Sequence, residues 1–221
     1  MAIFCFFVWY YPIGFYSNAS VTDTVSSRGF LAFLLILTAF LYASSLAHLL
    51  IAGAPNEDIA VAIGTLLFIM LYAFCGILAG PQDLPRFWIF MYRVNPFTYL
   101  VSSLLATTLG DAPAHCAGNE FQNFAAPANM TCAEYLEPYI SVARGYVEDA
   151  GSQGGGPASC NFCQLDSTNQ FLQSVNVDFS NRWWHFGLLW VYVVVNLAAA
   201  VGLYWAFRVP RAKKAKKAKK A

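Results

Sequence analysis

Gly80–Gly110, GPQDLPRFWIFMYRVNPFTYLVSSLLATTLG, is the stretch on which the fold turns. Within it Phe87–Leu109 is about 23 residues long and mostly apolar, the length of a membrane span. Arg93, Asn95 and Pro96 fall in its first half. An arginine near the centre of a spanning helix costs about 2.5–3.5 kcal/mol on insertion scales. Proline removes a backbone donor and turns the residue before it away from helix. The sequence therefore favours two short helices, Leu84–Val94 and Phe97–Leu109, broken at Asn95-Pro96, over one continuous span. Such a re-entrant or interfacial pair requires its freed backbone to face protein or water.

Composition agrees with a membrane setting. The chain is 58% hydrophobic, 17% aromatic and 11% charged, where soluble domains carry about 25% charged residues. The net charge of +1 conceals an asymmetry, because eight of the thirteen basic residues lie between Arg208 and Lys220. A basic cluster directly after a span is an orientation signal and gives no ground for a nucleic-acid partner. Its Lys-Lys-Ala pattern reads as a solvated cytosolic tail.

Outward from the central stretch, Ile59–Ala79 and Phe30–Ala52 are apolar runs of spanning length. On the first, Thr65, Ile69, Tyr72 and Gly76 share a helix face, which is either bundle packing or a cavity wall. On the second, Leu41, Ser44, Ser45 and His48 recur at helical spacing. A histidine inside a span is a functional candidate, although a polar helix–helix contact explains the pattern more simply. Gly53–Asp58 connects the two. Met1–Phe15 is apolar but too short to span, and reads as the second half of a span and the chain as a fragment. Tyr16–Gly29 is polar and holds the sequon Asn18-Ala19-Ser20. Trp183–Phe207 is the last span, with aromatic pairs at both ends. Within it Tyr192 and Asn196, one turn apart, are expected to bond a neighbouring helix. Cys5 and Cys75 read as apolar filler.

Asp111–Asn181 is too long for a connector. It carries Cys116, Cys132, Cys160 and Cys163, the sequon Asn129-Met130-Thr131 and a glycine-rich turn at Gly151–Gly156. Four cysteines and a sequon in one loop point to an oxidising compartment, and three pairings remain open. Cys160-Asn161-Phe162-Cys163 has redox or zinc spacing, but it stands without a second CxxC or a βαβ pattern, so structural disulfides are the better reading and no metal site is expected. A cytosolic basic tail puts this loop outside. If Gly80–Gly110 is re-entrant, Asn18 also faces outside, together with Asn129 and the four cysteines.

The expected organisation is then membrane helices over 1–110, comprising a partial span at 1–16, spans at 30–52 and 59–79 and a re-entrant pair at 84–109. An external cysteine loop follows at 111–182, a last span at 183–207 and a basic tail at 208–221. No GxxxxGK[ST] loop, HExxH or Ser/His/Asp set is visible, and His48, His115 and His185 are scattered. No catalytic residue is assigned.

The run Ala79–Val101 (AGPQDLPRFWIFMYRVNPFTYLV) resembles the end of fungal pleiotropic-drug-resistance ABC exporters, subfamily G. So do Tyr10–Gly14 (YYPIG), Thr131–Ile140 (TCAEYLEPYI), Cys160–Cys163 (CNFC), Asn181–Trp190 (NRWWHFGLLW) and Leu203–Arg211 (LYWAFRVPR). The resemblance implies an all-α membrane protein, the C-terminal part of the second membrane domain of a type-2 ABC exporter, with re-entrant helices and a disulfide-stapled external loop. It implies a plasma-membrane pump that moves hydrophobic drugs, xenobiotics or lipids. ATP and Mg would be bound by nucleotide-binding domains, and a second membrane domain would complete it; none of these is in this sequence. A drug-pathway face carries over to Thr65, Ile69 and Tyr72, and an apolar plug to Ile77 and Leu78, with Ser45 and His48 as further pathway candidates. The alternative is a self-standing membrane scaffold or an inactive remnant. A tetraspanin-like scaffold would show Cys-Cys-Gly and a complete first span, and this sequence has neither.

Overall fold

The computed structural model describes residues 1–78, 80–82, 84–127, 130–149 and 159–208. Asn129, the Gly151–Gly156 turn and the basic tail after Arg208 lie outside the described residues. The chain opens with two short helices, α1 (Ala2–Tyr10) and α2 (Phe15–Val21), separated by a turn in which Gly14 takes φ +84°. Next come α3 (Val25–Gly53) and α4 (Glu57–Ala73), joined by Ala54-Pro55-Asn56. The acids Glu57 and Asp58 sit in the first turn of α4, where the helix dipole favours them. Then follow α5 (Ile89–Val94) and α6 (Pro96–Leu109). After the cysteine-bearing segment that follows α6, which folds as a cap, a 3-10 turn (Phe179–Asn181) leads into α9 (Arg182–Arg208).

Two helical stretches are long and apolar enough to cross a membrane, Val25–Gly53 and Phe179–Arg208. They lie side by side with α6 wedged between their first halves. Leu31 and Leu35 of α3 and Leu189 of α9 form a buried cluster, closed by Tyr99, Leu100 and Leu104 of α6 and by Phe186. Further along, Asn196 donates to Ser45 Oγ at 3.4 Å. At the far end Arg208 donates to the Ile51 and Ala54 carbonyls at 3.2 and 3.4 Å. These are the last carbonyls of α3, which a helix leaves without partners of its own.

The structure departs from the sequence expectations at several boundaries. The span expected at 30–52 starts at Val25, which brings Arg28 inside the bundle, buried. The one expected at 59–79 stops as a helix at Ala73; Gly76 sits at φ +91°, a conformation that breaks a right-handed helix. Ile77 and Leu78 are therefore off the helix. The first short helix begins at Ile89 instead of Leu84, since Pro81 and Pro85 hold the approach in turns.

The all-α reading is corrected in the cap. Gln122–Ala125 (β1), Tyr146–Asp149 (β2) and Ser159–Cys163 (β3) form an antiparallel sheet in the order β1-β3-β2. The CNFC motif is its central strand, with Phe124 opposite Cys160 and Val147 opposite Phe162. Helix α7 (Cys132–Ala143) covers the sheet, capped by Thr131, whose hydroxyl accepts from Glu134 N–H at 3.3 Å. Ala126, Cys132, Leu136, Cys160 and Phe162 are its buried core. A last cap helix, α8 (Thr168–Ser174), rests on α6 through Leu172, Val177 and Ala106.

Candidate functional site

The centre of the molecule is the gap between α5 and α6. Asn95 is extended there (φ −77°, ψ 117°), and Pro96 takes the first helical position of α6, where its missing N–H costs nothing. The buried Asn95 side chain works in both directions. Its Oδ1 accepts from Phe97 N–H at 2.9 Å, and its Nδ2 donates to the Leu71 carbonyl of α4 at 2.7 Å. The carbonyls freed by the break are closed by hydroxyls. Thr98 donates to Tyr92 O at 3.0 Å, Tyr99 to Arg93 O, and Tyr192 of α9 to Val94 O at 2.7 Å. A break surrounded by apolar helices survives only with such partners, because an unmet backbone group there costs several kcal/mol. Arg93 itself points outward, exposed.

Beside the break an aromatic group joins three helices. The Phe97 ring lies 5.5 Å from Phe68 and 6.3 Å from Tyr72, both on α4, and 6.2 Å from Tyr42 on α3. On the α4 face singled out from sequence, Thr65, Ile69 and Tyr72 are all exposed. Thr65 Oγ1 spends its proton on Val61 O of its own helix. Thr65 also lines an open apolar cleft of about 520 Å³ between α3 and α4, with Ala43, Ala47, Leu50, Gly64 and Phe68. Ile69 and Tyr72 stand outside that cleft.

The remaining candidates are dispersed. Ser45 is buried between α3 and α9, whereas His48 borders a separate recess of about 390 Å³ with Leu197 and Tyr204. Ile77 lines a narrow space of about 190 Å³ under the cap with Tyr92 and Phe171, and Leu78 is exposed. The structure thus brings Thr65 to one cleft, His48 to another and Ile77 to a third. Sequence reasoning missed Phe68, Phe97 and Gly64. Gly64 carried a usable signal as a small residue within an apolar helical run, and in the structure a Cβ there would come within 3.2 Å of Leu50.

In the cap, Cys116 bonds Cys163 and Cys132 bonds Cys160. The two CxxC cysteines are bonded to different partners, so the pair is not a dithiol site. Cys5 and Cys75 are free. Among the described residues no group of three or more His, Cys, Asp or Glu could hold a metal ion. Asn18 lies within α2, and its Nδ2 donates to the Thr108 carbonyl of α6 at 3.3 Å.

A polar helix break closed by tyrosine hydroxyls thus packs beside the two helical stretches long and apolar enough to cross a membrane. Residues 1–109 match the ABC-2 type transporter family, so this segment is similar to an ABC-2 transporter membrane domain. Among similar proteins, ABC multidrug transporter F of Aspergillus fumigatus is 57% identical over 96% of this chain. ABC multidrug transporter C of the same fungus is 46% identical over 97%, and ABC-type transporter eriD of Hericium erinaceus 44% identical over 95%. The chain spans 14% of the length of each of these relatives.

Proposed function

We propose that this chain is the C-terminal part of the second membrane domain of a pleiotropic-drug-resistance, subfamily G, ABC exporter. In this reading it helps move hydrophobic drugs, xenobiotics or lipids out across the plasma membrane. ATP and Mg are bound by nucleotide-binding domains, and a second membrane domain completes the pathway; these lie outside residues 1–221. The C-terminus is cytosolic and the disulfide-bonded cap external, with a glycan on Asn129.

The observation that carries the reading is the sealed break at Asn95 beside an open aromatic and apolar α4 face. Helix α6 has 14 residues, about 21 Å, short of the ~30 Å of a hydrocarbon core. It starts beside Leu71 and ends at Gly110, next to Arg28 and Phe179 at the starts of α3 and α9. That course supports a re-entrant pair that returns to the external side. Thr65, Ile69 and Tyr72 form the substrate-facing wall, with Ser45 and His48 behind it and Ile77 and Leu78 toward the outer end. Such a wall selects by apolar area and ring contact, which suits hydrophobic cargo of varied shape.

The test is a chimera in which this chain replaces the matching segment of ABC multidrug transporter F. In a fungal strain lacking major pumps, efflux of a hydrophobic fluorescent dye is expected at half the parental rate or more, abolished by a Walker lysine substitution. A chimera that reaches the plasma membrane, binds ATP and exports nothing would sink the reading.

A further inference from the structure

Where the cap meets the bundle, one chain of side chains runs from α3 into α8. Arg28 is 4% exposed and α-helical, yet carries a full charge. Its guanidinium donates through Nη1 to the Gly110 carbonyl at the end of α6, and its Nη2 stands 4.0 Å from Asp111 Oδ2. Its Cζ lies over the Phe179 ring, 4.8 Å from the centre, and Arg182 Cζ lies over the same ring at 3.8 Å. Asp111 passes the link on. Its Oδ1 accepts from Asn169 Nδ2 of α8 at 2.6 Å, and its own N–H donates to Asn169 Oδ1 at 2.9 Å. Beside it, Thr168 donates to the Ala112 carbonyl at 3.0 Å.

Asp111 does this from φ +56°, the left-handed region that aspartate tolerates better than most residues but does not prefer. The preceding Gly110 admits no side chain, since a Cβ would lie 2.4 Å from Phe179. The chain turns sharply at 110–111, and two partners on opposite sides hold the turn.

We propose that Arg28, Asp111 and Asn169 form a latch that fixes the cap to the membrane bundle, with Arg28 the positioning residue. The latch makes α6 and the cap one body. Since Phe97, at the other end of α6, rests on Phe68 and Tyr72 of α4, a displacement of that aromatic group is carried along α6 to the cap. The guanidinium's spaced donors are required, because the compact ammonium of a lysine cannot reach the carbonyl, the carboxylate and the Phe179 ring from one position. This inference is independent of the transport reading.

The experiment is amide hydrogen exchange by mass spectrometry on the full chain in lipid nanodiscs. Arg28→Gln is expected to speed exchange at least tenfold in α8 and Phe179–Asn181, while mid-α3, mid-α9 and the disulfide-held sheet stay unchanged. Arg28→Lys restores at most part of the protection. Asp111→Gly, which relieves the backbone but removes both side-chain links, is expected to give the same local acceleration. It serves also as the readout if Arg28→Gln does not insert. Unchanged exchange in α8 with either variant overturns the latch. So does full protection with Arg28→Lys, or acceleration spread evenly over α3 and α9, which would mark Arg28 as a general support of the bundle.

Discussion

Asn95 shows how much one side chain can organise. It caps α6 and binds α4 with the two ends of one amide. A cap contributes about 1 kcal/mol and a buried neutral hydrogen bond about as much. Asn95→Ala is therefore expected to destabilise the domain by about 2–3 kcal/mol in detergent unfolding. Asn95→Asp keeps the acceptor but turns a carboxylate oxygen toward the Leu71 carbonyl and is expected to cost at least as much as Asn95→Ala, and Tyr192→Phe costs about 1–3 kcal/mol through the orphaned Val94 carbonyl. Equal stability of Asn95→Ala and the unsubstituted protein would mean the amide is replaceable by water. The sequence identified the Asn95-Pro96 break because a missing N–H is local. It expected Tyr192 to bond a neighbouring helix but not at this break, 98 residues away, and it did not mark Tyr99, six residues from the carbonyl it closes. Asn18 is a second residue whose surroundings matter more than its motif. Its amide nitrogen, the atom a glycan would take, is engaged with Thr108, and the Ser20 hydroxyl donates to Ser17 O at 2.7 Å. Deglycosylation is expected to remove one glycan at most, with Asn129→Gln abolishing the mass shift and Asn18→Gln leaving it.

At the scale of elements, the course of α5 and α6 distinguishes two topologies. In a background lacking Cys5 and Cys75, single cysteines at Gln82 and Asn119 are expected to react with an impermeant maleimide from the same side of the membrane. Reaction from opposite sides would make Phe87–Leu109 a crossing span. Element ends were the least legible part of the chain. Apolar composition continues smoothly through Ala73 into Leu78, so hydropathy carries no mark of the place where α4 stops. The mark is Gly76, where a Cβ would fall 2.8 Å from the Tyr92 ring of α5. The cap sheet escaped for a similar reason. Its strands are four and five residues long, and β3 pairs with β1 and β2 across gaps in sequence that no short-range pattern records.

For the whole molecule, the arrangement is a tightly bonded body of α3, α6, α9 and cap, with α4 lying along it and exposing most of its surface; Ala60 is its one buried residue. An exposed aromatic and apolar wall of this kind gives ligands contact area without fixed polar partners. In the transporter F chimera, Tyr72→Ala is expected to lower efflux of aromatic dyes about three- to tenfold, the worth of one ring contact of roughly 0.7–1.4 kcal/mol. Aliphatic cargo of similar size should be less affected. An equal loss for both classes would place Tyr72 in helix packing and take it out of the substrate wall.

By itself the sequence determined that the chain is membrane-embedded, that its central apolar stretch breaks at Asn95-Pro96 and that four cysteines share one polar loop. These are consequences of run length, composition and a proline's missing donor, all of which act within a few residues. Tertiary structure alone decided that Cys116 bonds Cys163 and Cys132 bonds Cys160, that Ser45 meets Asn196 while His48 does not, and that Arg28 is buried. Those outcomes join residues as far apart as Arg28 and Gly110, or Val94 and Tyr192. They depend on which helix faces lie together once the bundle closes, a three-dimensional choice made by the sum of many small packing terms.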